Sequence, residues 1–237
     1  MVIRGVDVSR HQAPAACDWP RAYDAGVRFA WVKGSEGQGG ADAYVDPAAA
    51  QHLEQLGRTP IVRGMYHFAR PDRRFAASPN GRANGTAEGE HAAATAVSLG
   101  VAGPGHLPVA IDLEKYTSGA TTEQRDDFVR GLIDTLEREL GRLPLMYTGQ
   151  DFWAGQQSAA LALELRERGV LLWQVDYRRG GVEPGEAIRG WPWSFWQWSG
   201  GGSVAYAPPI PGLPNPVDQN VYRGTLAELR GLAESGA

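Results

Sequence analysis

The sequence predicts an α/β protein whose strands close into an irregular TIM-like (β/α) barrel lacking some late helices. Short β-like runs alternate with helical segments along most of the 237 residues. Such alternation implies parallel strands joined by right-handed crossovers. About eight strand candidates in one domain-sized chain favour a barrel over an open sheet. The last two candidates are separated by Gly and Pro rather than by a helix, which predicts an irregular closure.

Each strand candidate is a short apolar run bounded by turn residues. In order along the chain, the candidates are Ile3–Val8, Phe29–Lys33, Ile61–Phe68, a run within His106–Leu113, Leu145–Thr148, Leu171–Val175, Phe195–Trp198 and Val217–Val221. The helix candidates are Trp19–Ala25, Pro47–Leu56, Thr86–Leu99, Thr122–Leu140, Ser158–Arg168 and Thr225–Glu234. The Gly-rich stretch Gly34–Gly40 and the polar stretch Asp72–Gly85 are predicted to be loops.

The clearest helix is Thr122–Leu140, in which apolar residues repeat at helical spacing along one stripe. Thr121 and Gln124 could form a capping box at its start, and Gly141 stands at its end. This helix therefore carries both a start signal and a stop signal.

Composition places the chain among ordinary globular proteins, with 43% apolar and 21% charged residues. With no linker or repeat, residues 1–237 are predicted to form a single domain. The net charge of −4 argues against a protein held on nucleic acid phosphates. Neither a signal peptide nor a membrane-length apolar stretch is recognised, and Cys17, the single cysteine, cannot form an intrachain disulfide.

Four of the eight Trp residues fall between Trp191 and Trp198, interleaved with Ser and Pro. The cluster suggests a surface on which flat rings meet a ligand. A core strand rich in aromatic residues is an equally good interpretation for any one of them.

Functional side chains of a parallel barrel gather where strands end and loops begin. The polar and aromatic candidates at predicted strand ends are therefore informative. They are Asp7, Lys33, Glu36, Tyr66, His67, Asp112, Glu114, Tyr147, Trp173, Gln197 and, at the opening of the last strand, Asp218.

Asp112-Leu113-Glu114 is the strongest local signal. Residues i and i+2 of a strand share a face, which would hold two carboxylates about 6–7 Å apart at Cα. Like charges that close raise one pKa, and a protonated carboxyl beside an ionised one is what acid-catalysed glycoside cleavage requires. A solvated strand end paired with Lys115 is the usual explanation of an isolated triplet, but carboxylates at other strand ends favour a functional pair.

Asp7 and Asp218, each a common cap or turn residue when alone, could complete a group of four carboxylates. A Mg²⁺ or Ca²⁺ site is the rival explanation. No H-E-x-x-H or EF-hand spacing supports it, and no metal or cofactor is expected. His67, between Tyr66 and Phe68, is expected to be packed rather than ligating. No G-x-S-x-G and no phosphate-loop Lys is present.

Motifs along the chain carry a resemblance that runs from Val2 to about Leu229. They are Gly5-Val-Asp-Val-Ser9 with Gln12, Phe29-Ala-Trp-Val-Lys33 with Glu36-Gly37, Gly64-Met-Tyr-His-Phe-Ala-Arg70, Asp112-Leu-Glu114, Pro144-Leu-Met-Tyr-Thr148, Leu172-Trp173, Trp196-Gln-Trp198 and Val217-Asp-Gln-Asn220. In this order they resemble glycoside hydrolase family 25, the muramidases of bacteria, fungi and phages.

The resemblance implies a distorted α/β barrel that cleaves the β-1,4 bond between N-acetylmuramic acid and N-acetylglucosamine with retention. By the same resemblance, Glu114 is the general acid/base. Asp112 orients the N-acetyl group or stabilises an oxazolinium-like intermediate, and Asp7 and Asp218 line the same pocket. The implied substrate-binding residues are Tyr66, Tyr147, Trp173, Gln197, Lys33 and Glu36. Whether an enzyme nucleophile or the acetamido group attacks stays open.

Three departures from the family pattern stand out. Lys33-Gly-Ser-Glu36 has Gly and Ser where the family more often has Ala and Thr, and Arg10-His11 follows Ser9. The Asp72–Gly85 loop is longer than usual. None of these removes a carboxylate, so they bear on specificity rather than on activity.

The expected partner is the glycan strand of peptidoglycan, bound by a monomer with no nucleic acid or membrane partner. Action on the bacterial cell wall is expected, outside the cell or after release at lysis. Two alternatives remain at this point. A chitinase-like hydrolase would usually carry a further Asp where Ala110 stands, and a catalytically silent wall-glycan-binding module would not need the carboxylate pair.

Overall fold

The computed structural model describes residues 2–40, 43–75, 78–177, 184, 188–200 and 207–235. Within these ranges nine strands form one sheet. They are β1 (Ile3–Val8), β2 (Val27–Glu36), β3 (Tyr44–Val45), β4 (Val62–Phe68), β5 (Ala110–Asp112), β6 (Leu145–Gly149), β7 (Leu172–Val175), β8 (Trp193–Ser199) and β9 (Asp218–Tyr222).

The sheet closes on itself. Its strand order is β1-β9-β8-β7-β6-β5-β4-β2-β3, and an additional pairing between β1 and β2 completes an eight-stranded barrel with β3 as a short addition to β2. This confirms the predicted TIM-like α/β fold.

Around the barrel, β1, β2 and β4 through β8 pair in parallel, whereas β9 is antiparallel to both β8 and β1. The added strand β3 is antiparallel to β2. The expectation of parallel strands is therefore wrong at β9. A parallel pair needs a long crossover, usually a helix. The described part of the connection before β9, residues 207–217, contains no helix, in line with the predicted loss of late helices.

Eight α-helices lie within the described ranges, together with a short 3-10 helix at Pro14–Ala16. They are α1 (Trp19–Asp24), α2 (Ala49–Leu56), α3 (Pro71–Arg74), α4 (Gly81–Ser98), α5 (Thr122–Leu140), α6 (Gln150–Gln156), α7 (Ala159–Arg168) and α8 (Leu226–Glu234). None of the described helices is both long and apolar enough to cross a membrane.

Helix α5 begins and ends where the sequence predicts. Its capping box is complete, with the Thr121 side chain accepting from the Gln124 N–H and the Gln124 side chain accepting from the Thr121 N–H. Gly141 ends the helix in the left-handed conformation at φ 65°, which costs glycine little because it has no Cβ.

Two loop predictions are wrong. Asp72–Gly85 contains most of α3 and the first turn of α4, and Gly34–Gly40 begins with the last residues of β2. Helix α4 starts early because the Asn80 side chain caps it by accepting from the Ala83 N–H at 3.0 Å. The end of β2 stays extended because β3 pairs with it. Helix α6 was not predicted at all.

Glycines allow α4 and α5 to approach closely. A Cβ added at Gly85 would overlap the backbone carbonyl of Phe128, and one added at Gly131 would overlap that of Arg82. Gly85, predicted to end a loop, is therefore a contact residue between two helices, as is Gly131 of α5.

The barrel interior is filled by aromatic side chains that alternate along the strands. Trp31 and Trp173 stack with their ring centroids 4.3 Å apart, and Phe195 meets the Trp31 ring edge-on at 4.6 Å. Leu229 and Ala233 of α8 belong to the same buried cluster. This packed layer supports Trp173 from below.

The Trp191–Trp198 cluster does not form one ligand surface. Trp191 is buried against Trp153 in the core between the barrel and its helices, and its Nε1 donates to the Val170 carbonyl at 2.9 Å. Trp196 is also buried, with its Nε1 donating to the Asp176 carbonyl. The core interpretation is right for these two residues.

Replacing Gly85 with Ala tests the contact between α4 and α5. Because the added methyl has no room against the Phe128 carbonyl, we expect the free energy of unfolding to fall by about 1–3 kcal/mol in urea denaturation. Gly231→Ala in α8 is the matched control, since nothing lies within 4 Å of its added Cβ. It should gain about 0.5–1 kcal/mol. Equal effects of the two substitutions would contradict the packing described here.

Candidate active site

A pocket of about 260 Å³ opens where the parallel strands end. Nine of the ten predicted site residues line it: Asp7, Lys33, Tyr66, Asp112, Glu114, Tyr147, Trp173, Gln197 and Asp218. The tenth, Glu36, lies behind Lys33 and does not line the pocket. Residues at strand ends therefore meet in one pocket, although Asp7 and Asp218 are 211 positions apart in the sequence.

The sequence analysis missed several lining residues, which are Ser9, His11, Gln12, Phe68 and Tyr177. Phe68 is the last residue of β4, and Tyr177 stands two residues after the end of β7. The same strand-end rule could have found both of these. Ser9, His11 and Gln12 belong to the turn after β1. Ser9 and Gln12 stand in the opening motif of the resemblance, which could have marked them as site residues.

Asp7 is the most heavily hydrogen-bonded of the pocket carboxyls. Its Oδ2 accepts from Gln197 Nε2 at 2.8 Å and from Asn220 Nδ2 at 2.7 Å. Strand register explains the proximity of Asn220 and Asp218, because antiparallel pairing sets Asp7 directly opposite Asp218. Both amides donate, so Asp7 is held as an acceptor.

The two amides are themselves fixed in orientation. Tyr147 Oη and Tyr177 Oη donate to Gln197 Oε1 at 2.7 and 3.0 Å. Trp173 Nε1 donates to Asn220 Oδ1 at 2.8 Å. Since each amide oxygen is occupied by a donor, each amide nitrogen must point to Asp7. The pocket walls and the Asp7 carboxylate thus form one network.

Asp7 and Asp218 hold a proton between them. Burial, then the charge of Asp7 and a hydrogen bond with it, raise the pKa of Asp218 to about 8. Burial raises the pKa of Asp7 as well, although hydrogen bonds from Asn220 and Gln197 act in the opposite direction. Near neutral pH, Asp218 therefore carries the proton and donates it towards the Asp7 carboxylate.

Asp112 ends β5 between two neighbouring strands, opposite Phe68 of β4 and Tyr147 of β6. Burial and then the charge of Glu114 raise its pKa well above the usual value. Its Oδ1 is buried and has no hydrogen-bond partner among the described residues. A buried acceptor without a partner is costly, so this atom is suited to a donor on a ligand.

Glu114 lies just beyond the last residue of β5 and is partly buried. Burial is the main cause that raises its pKa, while the charges of Lys115 and Lys33 lower it. The sequence predicts one raised pKa beside a carboxyl that stays ionised, whereas burial raises the pKa of both Asp112 and Glu114. Desolvation contributes more to these shifts than the repulsion between the two groups. Lys115 is nearby, yet Glu114 still faces the pocket.

Lys33 lines the pocket and also belongs to a group of ion pairs. Its Nζ lies 2.8 Å from Glu36 Oε2, and Glu36 Oε1 lies 2.5 Å from Arg70 and 3.2 Å from Arg73. Burial alone would raise the pKa of Glu36, but hydrogen bonds from Lys33 and Arg70 lower it. Glu36 therefore holds Lys33 in place instead of contacting the pocket contents.

His67 is fully buried, as expected for a packed histidine. Its Nδ1 is hydrogen-bonded to Ser35 Oγ at 2.9 Å and its Nε2 to Glu88 Oε2 at 3.2 Å. The Glu88 carboxylate also accepts from the Arg70 N–H at 2.9 Å. This group therefore anchors the segment that carries the Arg70 side chain.

No group of three or more His, Cys, Asp or Glu residues in the described ranges has a geometry that could hold a metal ion. The pocket instead combines four carboxyl groups with aromatic and amide walls. Such a site can transfer protons to and from a bound molecule and stabilise positive charge on it.

Comparison with known proteins identifies the family of the chain independently of the pocket geometry. The family model for glycosyl hydrolases family 25 matches residues 6–206. Lysozyme M1 of Streptomyces globisporus is 26% identical over 247 aligned residues, which cover 99% of this chain and 72% of that protein. An N,O-diacetylmuramidase of Chalaropsis sp. is 28% identical over 86% of this chain and 90% of that protein.

Solved structures agree with the fold. The bacterial lysozyme of Streptomyces coelicolor matches with a TM-score of 0.78 and 26% identity, covering 100% of this chain and 99% of that one. A muramidase of Acremonium alcalophilum matches with a TM-score of 0.71 and 27% identity, covering 98% of this chain and 99% of that one.

The proton held by Asp218 predicts how stability depends on pH. Between about pH 4 and pH 8 the folded protein keeps this proton and the unfolded chain releases it, so the free energy of unfolding falls as pH rises through that window. Asp218→Asn should flatten this slope, measured by urea denaturation at several pH values.

Asp72→Asn is the control, because the pKa of Asp72 is shifted in the opposite direction from that of Asp218. A hydrogen bond from Arg70 lowers the pKa of Asp72 from 3.8, so its contribution is lost only as the pH falls below about 4. This variant should leave the slope from pH 5 to pH 8 unchanged. The same slope in Asp218→Asn and in the unsubstituted protein would show that the proton is not held there.

Proposed function

Because the chain belongs to the glycosyl hydrolases of family 25, we propose that it hydrolyses the β-1,4 bond between N-acetylmuramic acid and N-acetylglucosamine, with retention. Its lysozyme and muramidase relatives identify a glycoside hydrolase with lysozyme activity, acting on peptidoglycan. The observation that carries the finer proposal is the buried carboxyl pair, in which Glu114 has a raised pKa and Asp112 has an unpartnered oxygen.

Glu114 is the general acid/base. Burial raises the pKa of Glu114 and so favours the protonated form, which the oxygen of the departing sugar requires. Once that sugar has left, the ionised Glu114 removes a proton from the attacking water. The same carboxyl therefore serves both halves of a retaining reaction.

Asp112 orients the acetamido group of the sugar that is attacked. Its buried Oδ1 accepts the acetamido N–H and turns the acetamido carbonyl oxygen towards the anomeric carbon. That oxygen forms a bond to the anomeric carbon as the glycosidic bond breaks, which gives an oxazolinium intermediate. Positive charge that develops on the acetamido group favours the ionised form of Asp112 and strengthens its bond to the N–H.

Asp7 supplies negative charge to the pocket, and Asp218 helps to hold the Asp7 carboxylate in position. The Asp7 carboxylate is held by two amide donors and by the proton of Asp218, so it stays fixed while the sugar becomes positively charged. Asp218 keeps the net charge of this pair at about −1 by carrying that proton.

The pocket walls bind the sugars. Tyr66, Tyr147 and Trp173 form the aromatic part of the pocket wall, and Gln197 fixes the Tyr147 hydroxyl. Trp173 is preorganised, since it stacks on Trp31 and donates to Asn220. Lys33 is the cationic binding group, and Glu36 acts through it.

Residues 1–237 act as one catalytic domain in this proposal. The family match ends at residue 206, yet β9, which carries Asp218, completes both the barrel and the pocket. The protein works as a monomer on glycan strands of the cell wall, without a nucleic acid or membrane partner.

Glu114→Gln tests the proton donor. It should lower turnover of purified peptidoglycan by about 10²–10⁴-fold without changing the urea midpoint, because an amide cannot donate or accept the proton. Digests are reduced and analysed by mass spectrometry, and the unsubstituted enzyme should yield reduced muramic acid. Glu90→Gln, an exposed glutamate of α4, is the matched control and should keep full activity. Reduced glucosamine as the product would overturn the bond assignment.

Asp112→Asn tests the acetamido route. The amide can no longer stabilise the positive intermediate, so kcat should fall by about a hundredfold or more while KM changes little. Peptidoglycan with N-deacetylated muramic acid should be a poor substrate of the unsubstituted enzyme for the same reason. Proton NMR early in the reaction should show the β-anomer of the new reducing end. An α-anomer would exclude retention.

A further inference from the structure

A second cavity of about 370 Å³ adjoins the catalytic pocket. Ser9, His11 and Lys33 line both cavities, so a ligand in one can extend into the other. Beyond this shared border, the second cavity is walled by Arg10, Tyr44 and Arg73.

The acidic residues of the second cavity are already engaged. The Glu36 carboxylate is shared by three cations, Lys33, Arg70 and Arg73. Asp46 accepts from the N–H groups of Arg10 and Ala48 at 3.1 and 2.9 Å. Among the described residues that line this cavity, the three cations Arg10, Lys33 and Arg73 outnumber the two carboxylates. The catalytic side of Lys33 has four carboxyl groups.

Arg10 is the residue of this cavity best placed to bind an anion. Its backbone is fixed by Asp46, and its guanidinium lies over the Tyr44 ring at 5.7 Å. No carboxylate of the described residues lies within ion-pair distance of that guanidinium. Arg73 is also available in part, because its side chain is 46% exposed and shares Glu36 with two other cations.

We propose that this second cavity binds a carboxylate carried on the O-3 substituent of muramic acid, above all a carboxylate of the peptide stem. The inference rests on the proposed function, which places muramic acid in the adjoining pocket. Arg side chains recognise carboxylates through paired N–H donors. The carboxyl-rich catalytic pocket repels the same group, so the two cavities together orient the strand.

This assignment gives the enzyme a preference for strands that keep their stems. Electrostatic attraction by exposed arginines weakens with ionic strength. The preference should therefore be larger at low salt than at high salt.

The experiment uses purified glycan strands with intact stems and strands from which an amidase has removed the stems. Initial rates give kcat and KM for the unsubstituted enzyme, Arg10→Gln, Arg73→Gln and the double variant, at two salt concentrations. Each single substitution should raise KM for stem-bearing strands about two- to fivefold, as for loss of one exposed ion pair. Arg138→Gln, an exposed arginine at the far end of α5, matches the change of charge and should leave KM unaltered.

The outcomes separate the sources of the carboxylate. A rise in KM confined to stem-bearing strands assigns the cavity to the peptide. A rise confined to amidase-treated strands assigns it to the lactyl carboxylate, which the amidase releases from its amide bond to the stem. An equal rise on both strands contradicts the preference for stem-bearing strands. An equal loss that does not depend on salt, or no effect at all, overturns the inference. The proposed function fails separately, if the unsubstituted enzyme releases no muramic acid reducing ends from either strand.

Discussion

The geometry of the site depends on one carboxylate oxygen, Oδ2 of Asp7. Amide groups from β8 and β9 donate to it, and those amides are fixed in turn by side chains of β6 and β7 and by Tyr177 just after β7. Because every donor in this network has a single compatible orientation, the pocket walls and the Asp7 carboxylate are positioned together. The aromatic layer beneath Trp173 then fixes the floor of the pocket.

Much of the pocket could be predicted from the sequence, because the strands of a parallel barrel end on the same face regardless of the loop conformations. That rule found nine pocket residues, although it placed Glu36 with them. Ion pairs hold Glu36 away from the pocket, and two of its three cationic partners, Arg70 and Arg73, come from the segment after β4, which no local pattern reveals. The Asp72–Gly85 error has a similar origin: Gly and Asn indicate a loop in isolation, whereas here they cap a helix and let it contact α5.

Charge is divided sharply across Lys33. On one side, burial raises the pKa values of the catalytic carboxyls, so fewer negative charges are present there at neutral pH than the residue count suggests. On the other side, one glutamate is shared by three cations. Lys33 belongs to both environments, and a polymer with a neutral backbone and acidic branches matches this division.

The antiparallel position of β9 between β8 and β1 also affects the rate of folding. Residues 3–7 pair with residues 218–222, so the barrel closes through contacts between nearly the most distant parts of the described chain. Such contacts are slow to form because a long loop must close first. Asp7 has neither Asn220 nor Asp218 beside it until then. Under the proposed function, a nascent or partly folded chain therefore has no complete catalytic centre.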